Sequence, residues 1–226
     1  MDIRTHFHSQ LDALGASLLE MGELCEAQVG EAVAALLDQD VERSQGVVTA
    51  DERVDALYVD IHRRWIQITA EQNPMASDLR LMVVMLHMAV TLERMGDQAV
   101  NIAKTTELVA GLPTSEEIAR RLREMSDLVR PMVRVAIDAF AQRAVDAARQ
   151  LPRLDDPVDR LNHEMTQLVL EVGNDRGLQH WATRMLLVSR ALERVGDQAV
   201  DIGEQVVFLE TGEVEEFNTV IGSDDD

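Results

Sequence analysis

Apolar residues recur every three or four positions along almost the whole chain. Leu11, Leu14, Leu18, Met21, Leu24 and Cys25 step along one stripe, and Val29, Val33, Leu36 and Leu37 continue it. That period belongs to an α-helix with one face in a core. The stripe predicts a first helix ending somewhere in residues 40–46 and a second from about Val48 to Gln72, carrying Val54, Leu57, Ile61, Trp65 and Ile68 on one face. Asn73-Pro74 stops the second, because the residue before a proline is pushed out of the helical region. A third helix is predicted from about Met75 to Ala110, ahead of Gly111-Leu112-Pro113. Thr114-Ser115-Glu116-Glu117 then marks a new start, with a hydroxyl cap and acids in the first turn. The fourth helix carries Leu122, Met125, Val129, Met132, Val133 and Phe140, with Pro131 inside it as a kink point. Leu151-Pro152 breaks the chain, and a fifth helix is expected from near Asp155-Asp156-Pro157. Residues 174–177 form a turn, and a sixth helix runs to about Glu210.

The polar positions reveal an internal repeat. Leu92 to Ile102 reads LERMGDQAVNI, and one hundred residues later Leu192 to Ile202 reads LERVGDQAVDI, identical at nine of eleven positions. Leu, Ala and Val recur wherever two copies pack alike, but Glu, Arg, Asp and Gln at fixed spacing need another cause. Asp51 to Leu57 likewise parallels Asp155 to Leu161. From Asp55 to Glu93 is 38 residues and from Asp159 to Glu193 only 34, a trim of about one turn that keeps phase. The expected fold is all-α: two antiparallel three-helix bundles in tandem, residues 1–112 and 113–212, followed by an acidic tail, 213–226, expected to be disordered.

Composition fits. Of 226 residues, 46% are hydrophobic and only 3% aromatic, with 5 Pro and 12 Gly, which suits a helical bundle. A net charge of −20 excludes duplex nucleic acid as a natural partner, since its phosphates would be repelled. One cysteine, Cys25, cannot form an internal disulfide and is expected to be an inert buried thiol. No apolar run reaches the roughly 18 residues of a membrane span, and the first residues lack an apolar signal core. These features lead us to expect a cytoplasmic protein with no direct membrane insertion.

The candidate chemistry lies in carboxylates. Residues at i, i+4 and i+8 share one helix face, so Glu93, Asp97 and Asn101 point together, as do Glu193, Asp197 and Asp201. Asp51/Asp55 and Asp155/Asp159 repeat that spacing on the preceding helix of each half. Like charges so placed repel, and a hard cation held by oxygen ligands would neutralise them. Gly96 and Gly196, mid-helix beside the acids, either admit a close helix or leave room for such a cluster; each costs about 1 kcal/mol of helix propensity against Ala. Arg94 and Arg194 are candidates to pair with the acids or orient them. The competing reading is a solvated acidic face that binds nothing, in a purely structural adaptor. His87 is expected in bundle packing, and Met21, Met75, Met82, Met85, Met88 and Met95 as core filler. A di-metal oxidase would need Glu-x-x-His pairs, which no histidine supplies, and a phosphohydrolase would need a nucleophile or general acid recurring beside the acids. The expected protein is therefore not an enzyme.

These residues resemble the PhoU family, the accessory proteins of phosphate-specific transport. The resemblance rests on LERMGDQAVNIAK (Leu92 to Lys104), on LERVGDQAVDI (Leu192 to Ile202), on the Asp-rich entries at Asp51 and Asp155, and on Pro74-Met75-Ala76-Ser77-Asp78-Leu79-Arg80, which is similar to that family's P-x-x-x-DLR segment. It implies two three-helix bundles related by pseudo-twofold symmetry. It also implies a homodimeric phosphate-signalling regulator that works with the ATPase subunit of a phosphate ABC transporter and a membrane sensor histidine kinase, restraining the phosphate-starvation response. Some members bind iron, zinc or other metal clusters through E(D)xxxD motifs. Carried onto this chain, those motifs are Asp51, Asp55, Glu93 and Asp97, and Asp155, Asp159, Glu193 and Asp197, with Asn101 and Asp201 one turn further on. The ion is left open among Fe, Mn, Zn, Mg and Ca. Asn101 against Asp201, and a DLR segment in the first half only, set the halves apart.

Overall fold

Seven helices account for the computed structural model, which describes residues 3–72 and 74–217. They are α1 (Ile3–Asp38), α2 (Val41–Gln72), α3 (Ser77–Val109), α4 (Glu116–Gln142), α5 (Val145–Ala148), α6 (Leu151–Leu170) and α7 (Arg176–Thr211). No strand occurs among the described residues, so the all-α expectation holds. The seventh helix is a fragment of an expected one. With a shift of 104 residues, Ser44 and Val47 of α2 correspond to Ala148 and Leu151, and all four are buried. Thus α5 is the detached first turn of the helix that α6 continues. Pro152 has no N–H to donate to the carbonyl of Ala148, so the ladder breaks there, and α6 restarts with Pro152 in its first turn, where no donor is needed.

Two expected boundaries move. The helix expected from Val48 begins at Val41, because Gln39 adopts a left-handed turn (φ 52°) and Asp40 Oδ1 then accepts from the Arg43 N–H at 2.9 Å as the helix cap. Gly46 therefore lies within α2. The fifth helix starts at Leu151, ahead of Asp155, and Pro157 sits inside it. Pro131 is accommodated within a continuous α4. The other ends follow their sequence signals: Ser115 and Asp175 cap α4 and α7, and Gly212 (φ 78°) closes α7 with its N–H on the Phe208 carbonyl.

Each half is a three-helix bundle, α1–α2–α3 and α4–α6–α7, and the two share one continuous core. Helix α1 packs on α4 and α3 packs on α7, so these four form the centre while α2 and α6 flank it. Close approach at the first seam uses Gly22, where a Cβ would overlap the side chain of Ile137. Glu26 of α1 is held there by Arg130 and Arg134 of α4, at 2.9 and 2.8 Å. Most expected core residues are buried, including Met21, Met82, Met85, Met88 and Met95, but Met75 is 73% exposed in the α2–α3 turn. His87 is exposed rather than packed in the bundle, and it lies near enough to Asp201 of α7 to act on its carboxyl. The first residues of the expected disordered tail turn back onto the fold. The Phe217 N–H donates to Glu204 at 2.6 Å, and Arg149 pairs with Glu215 at 2.7 Å. Residues 218–226 of that tail, and Asn73 of the α2–α3 turn, lie outside the described residues.

The DLR segment has a structural task. Arg80 at the start of α3 donates to the Leu209 carbonyl at 3.2 Å, and its guanidinium lies 5.8 Å from the Phe208 ring centroid. It thus places a cation at the C-terminus of α7, where unpaired carbonyls favour positive charge. Arg80→Ala should cost about 1–3 kcal/mol, read as a lower melting temperature by circular dichroism; an unchanged melting point would show that this contact carries nothing.

Candidate metal centre

The carboxylates expected to share a face do so along two seams, α2–α3 and α6–α7. In the second half, Asp155 and Asp159 of α6 and Asp197 of α7 each bring one carboxylate oxygen within 4.8 Å of the others. Glu193 stands one turn from Asp197, close enough for the two carboxyls to act on one another. Asp155 is 1% exposed and Glu193 7%. In the first half, Asp51 and Asp55 of α2 lie near Glu93 and Asp97 of α3, close enough for their charges to act on one another. No trio there closes as tightly as Asp155, Asp159 and Asp197.

The glycines explain how acids enter the seam. A Cβ built on Gly196 would overlap Asp155 Oδ1, and one built on Gly96 would lie 2.7 Å from Asp51 Oδ1. Each aspartate carboxylate therefore occupies the space that a side chain on the facing helix would fill. The cost in helix propensity is balanced by admission of a charged group to the packed seam.

These buried oxygens lack donors. Asp51 Oδ1, Asp155 Oδ1 and Glu193 Oε2 are buried without a hydrogen-bond partner. Burial, reinforced by Asp159, Asp197 and Glu193, pushes the Asp155 carboxyl up to about 8. Burial and Asp197 push Glu193 up to about 7 against the pull of Arg190. Asp51, with Asp55, Asp97 and Glu93 nearby, is raised to about 6, again chiefly by burial. Orphaned carboxylate oxygens converging from two helices fit a hard cation with oxygen ligands. The residues that would hold it are Asp155, Asp159, Glu193 and Asp197, and in the first half Asp51, Asp55, Glu93 and Asp97.

Asn101 and Asp201 are not part of the convergent trio of Asp155, Asp159 and Asp197. Asn101 lines a cavity of about 400 Å³ between α3 and α7, together with Lys104, Arg190 and Arg194. Asp201 faces His87 and Arg94 of α3, while still feeling Asp197 one turn below it. Neither Arg94 nor Arg194 ion-pairs with the acids among the described residues. The cation that does is Arg190, bonded to Glu193. Its counterpart, one hundred residues earlier, is Val90. The sequence signal was available, since Arg190 precedes Glu193 by three residues. A second overlooked residue is Gln28 of α1, 4% exposed, whose amide reaches the Gly96 side of the first group. Cys25 is fully buried, donates to the Leu92 carbonyl at 3.1 Å, and has its thiol pushed up by burial and by Asp51.

The buried acids tie stability to pH. Between pH 6 and 9 the unfolded chain's carboxylates are ionised, whereas native Asp155 and Glu193 still bind protons up to about 8 and about 7. The native state binds more protons, so in chelator stability falls as pH rises through that window. Melting curves in chelator should drop from pH 6 to pH 9, and Asp155→Asn should flatten the drop; a rise with pH would contradict the burial. Gly196→Ala adds helix propensity but evicts the Asp155 carboxylate, so a lower melting temperature at pH 6 is expected despite the gain of about 1 kcal/mol. A higher one would mean that the seam has slack.

The family model described as the PhoU domain matches residues 18–106 and 122–206, one match in each half. A phosphate-specific transport system accessory protein PhoU homolog from Clostridium acetobutylicum is 30% identical, over 95% of this chain and 99% of that protein. One of the same name from Pseudomonas putida is 34% identical, over 93% and 82% respectively. The crystal structure of PhoU from Pseudomonas aeruginosa superposes with a TM-score of 0.84 at 32% identity, covering 92% of this chain and all of that one. On sequence, repeat and fold together, the chain belongs to the PhoU family.

Proposed function

We propose that this protein is a non-enzymatic regulator of phosphate transport whose two acidic seams hold metal ions. Membership of the PhoU family carries the regulatory part: relatives matched over most of their length are named accessory proteins of the phosphate-specific transport system. A similar solved structure, from Streptococcus pneumoniae, is described as a phosphate transport system regulatory protein. On this reading the chain acts through protein contacts, with the ATPase subunit of a phosphate ABC transporter and a sensor histidine kinase as its partners, and works as a homodimer. No described helix is long and apolar enough to cross a membrane, so contact with the transporter would come through its exposed faces.

The observation that carries the metal part is the convergence of Asp155, Asp159 and Asp197 beside unpartnered oxygens of Asp155 and Glu193. A bound cation would supply the counter-charge that the protein's own cations provide only in part at both seams, and Fe, Mn, Zn, Mg or Ca could serve with oxygen ligands. Glu193 would then be released from Arg190 or shared with it.

Elemental analysis of the purified chain should find more than one ion per chain, and Asp97→Ala combined with Asp197→Ala should remove it. Equal metal content in that double variant would reject the assignment. Capture from cells grown in high phosphate should recover a phosphate-transport ATPase subunit or a sensor kinase, identified by mass spectrometry. Recovery of neither, from a folded bait, would reject the regulatory contacts.

A further inference from the structure

The first acidic seam contains a neutral group that the second lacks. Helices α1 and α4 correspond with the same shift of 104 residues, pairing buried Leu18 with Leu122, Met21 with Met125, and Val29 with Val133. In that register Gln28 corresponds to Met132. Both are buried, Gln28 at 4% exposed and Met132 at 1%, and both reach the glycine that makes room for the acid. The Cβ position on Gly96 lies 3.6 Å from Gln28 Oε1 and 2.7 Å from Asp51 Oδ1, so amide and carboxylate crowd the same point. The corresponding point on Gly196 has Asp155 Oδ1 and, at 3.7 Å, the Met132 methyl.

Neither polar atom of the Gln28 amide has a hydrogen-bond partner, although Asp51 Oδ1, also unpartnered, is beside it. A buried amide left bare costs stability, and an apolar side chain of equal length would fill this position better. The second half uses such a side chain. A stripe of Leu, Met, Cys and Val interrupted by one bare amide, aimed at a bare carboxylate, therefore has no packing explanation.

We propose that Gln28 is a fifth oxygen ligand of the first metal site, its side-chain carbonyl reaching the ion from α1 beneath Asp51, Asp55, Glu93 and Asp97. This inference rests on the metal-binding reading proposed above. It makes the two sites chemically unequal: the first adds a neutral carbonyl from a third helix, while the second is built from two helices over a thioether side chain, with Glu193 already engaged by Arg190. The ligand class is a hard cation, because an amide carbonyl is a hard neutral donor that completes a coordination shell without adding charge. Ion binding at the first site would tie α1 to α2 and α3; at the second it would tie α6 to α7 only.

The test uses Mn²⁺ and the full chain, with the second site removed by Asp159→Asn and Asp197→Asn. Free Mn²⁺ is measured by electron paramagnetic resonance during titration. In that background Gln28→Met, which copies the second half, should weaken Mn²⁺ binding by about tenfold or more, while Gln28→Glu, which keeps an oxygen at the same place, should retain it. With the first site removed instead, by Asp55→Asn and Asp97→Asn, Gln28→Met should leave binding unchanged. In chelator, Gln28→Met should melt at or above the temperature of the unsubstituted chain, since it replaces a bare amide by an apolar group.

Unchanged Mn²⁺ affinity of Gln28→Met in a background that binds the ion would overturn the assignment of Gln28 and leave the metal reading standing. A lower melting temperature in chelator would also overturn it, because the amide would then be holding the bundle together rather than waiting for an ion. No Mn²⁺ binding by the unsubstituted chain would reject a Mn²⁺ site and, with it, the role of Gln28.

Discussion

A carboxylate can enter the seam between two packed helices only where the facing helix has no side chain. Gly96 and Gly196 meet that condition, and most of what distinguishes this protein follows from it. The Asp155 carboxylate fills the space over Gly196 and that of Asp51 the space over Gly96. The inner oxygen of each, Oδ1, is then shielded from water without receiving a donor in return. Such a group is either protonated or matched by a cation, because an isolated buried charge is too costly to persist. The glycines thus convert an ordinary amphipathic packing problem into an electrostatic one. They also set the helix register, since sliding α6 by one residue would drive Asp155 into a neighbouring side chain of α7.

The electrostatic problem is local, but its supports are not. Asp155 and Asp159 keep their positions only if α6 starts correctly, and that start depends on Pro152 and on the detached turn α5 packed against α7. The α7 side depends on its far end, where Arg80 from the other half meets the Leu209 carbonyl. The halves are therefore repeats in sequence but parts of one core in space, joined along α1–α4 and α3–α7. A chain carrying −20 overall tolerates two acidic seams in one body by placing them on the flanks, where α2 and α6 lie, with the shared centre almost wholly apolar. The polar exceptions in that shared core are few, and Gln28 is one of them.

The fold was legible because its information is periodic. Helical spacing, prolines and capping residues indicated six helices and their faces, and the repeated LERxGDQAV segment placed the carboxylates on matching surfaces. What escaped was anything that depends on a neighbour in space. The apolar stripe places the break between the first two helices within residues 40–46, but the capping carboxylate of Asp40 starts α2 at Val41 and carries it through Gly46. Asp201 shares a stripe with Asp197, yet the α3 helix across from it carries His87 and Arg94, and these turn it toward the other half. Arg190 and Gln28 stand at helical spacing from known landmarks, Arg190 three residues before Glu193 and Gln28 three after Cys25. Neither is marked by the repeat, because each occurs in one copy only.

Those one-sided residues bear on why a duplicated unit keeps two acidic seams. If both seams only neutralised charge, the copies would be free to drift together, and substitutions around them would be conservative. Instead, three differences between the halves fall beside the acids: Gln28 against Met132, Val90 against Arg190, and Lys104, whose charge acts on Asp51, against Glu204. Each changes charge or hydrogen-bonding capacity, whereas Leu92, Glu93, Gly96, Asp97 and their counterparts are unchanged. In the second half Arg190 holds Glu193, so an incoming ion would compete with a resident cation. In the first half Val90 takes that arginine's place, Lys104 acts on Asp51 and Arg94 on Glu93 without an ion pair, and the unpartnered Gln28 amide lies beside Asp51. Two seams that share acids and glycines but differ in resident counter-charge would respond to different ion concentrations. With Gln28 as a ligand, the first would engage three helices of its bundle and the second two, so the two responses would stiffen different parts of a single core.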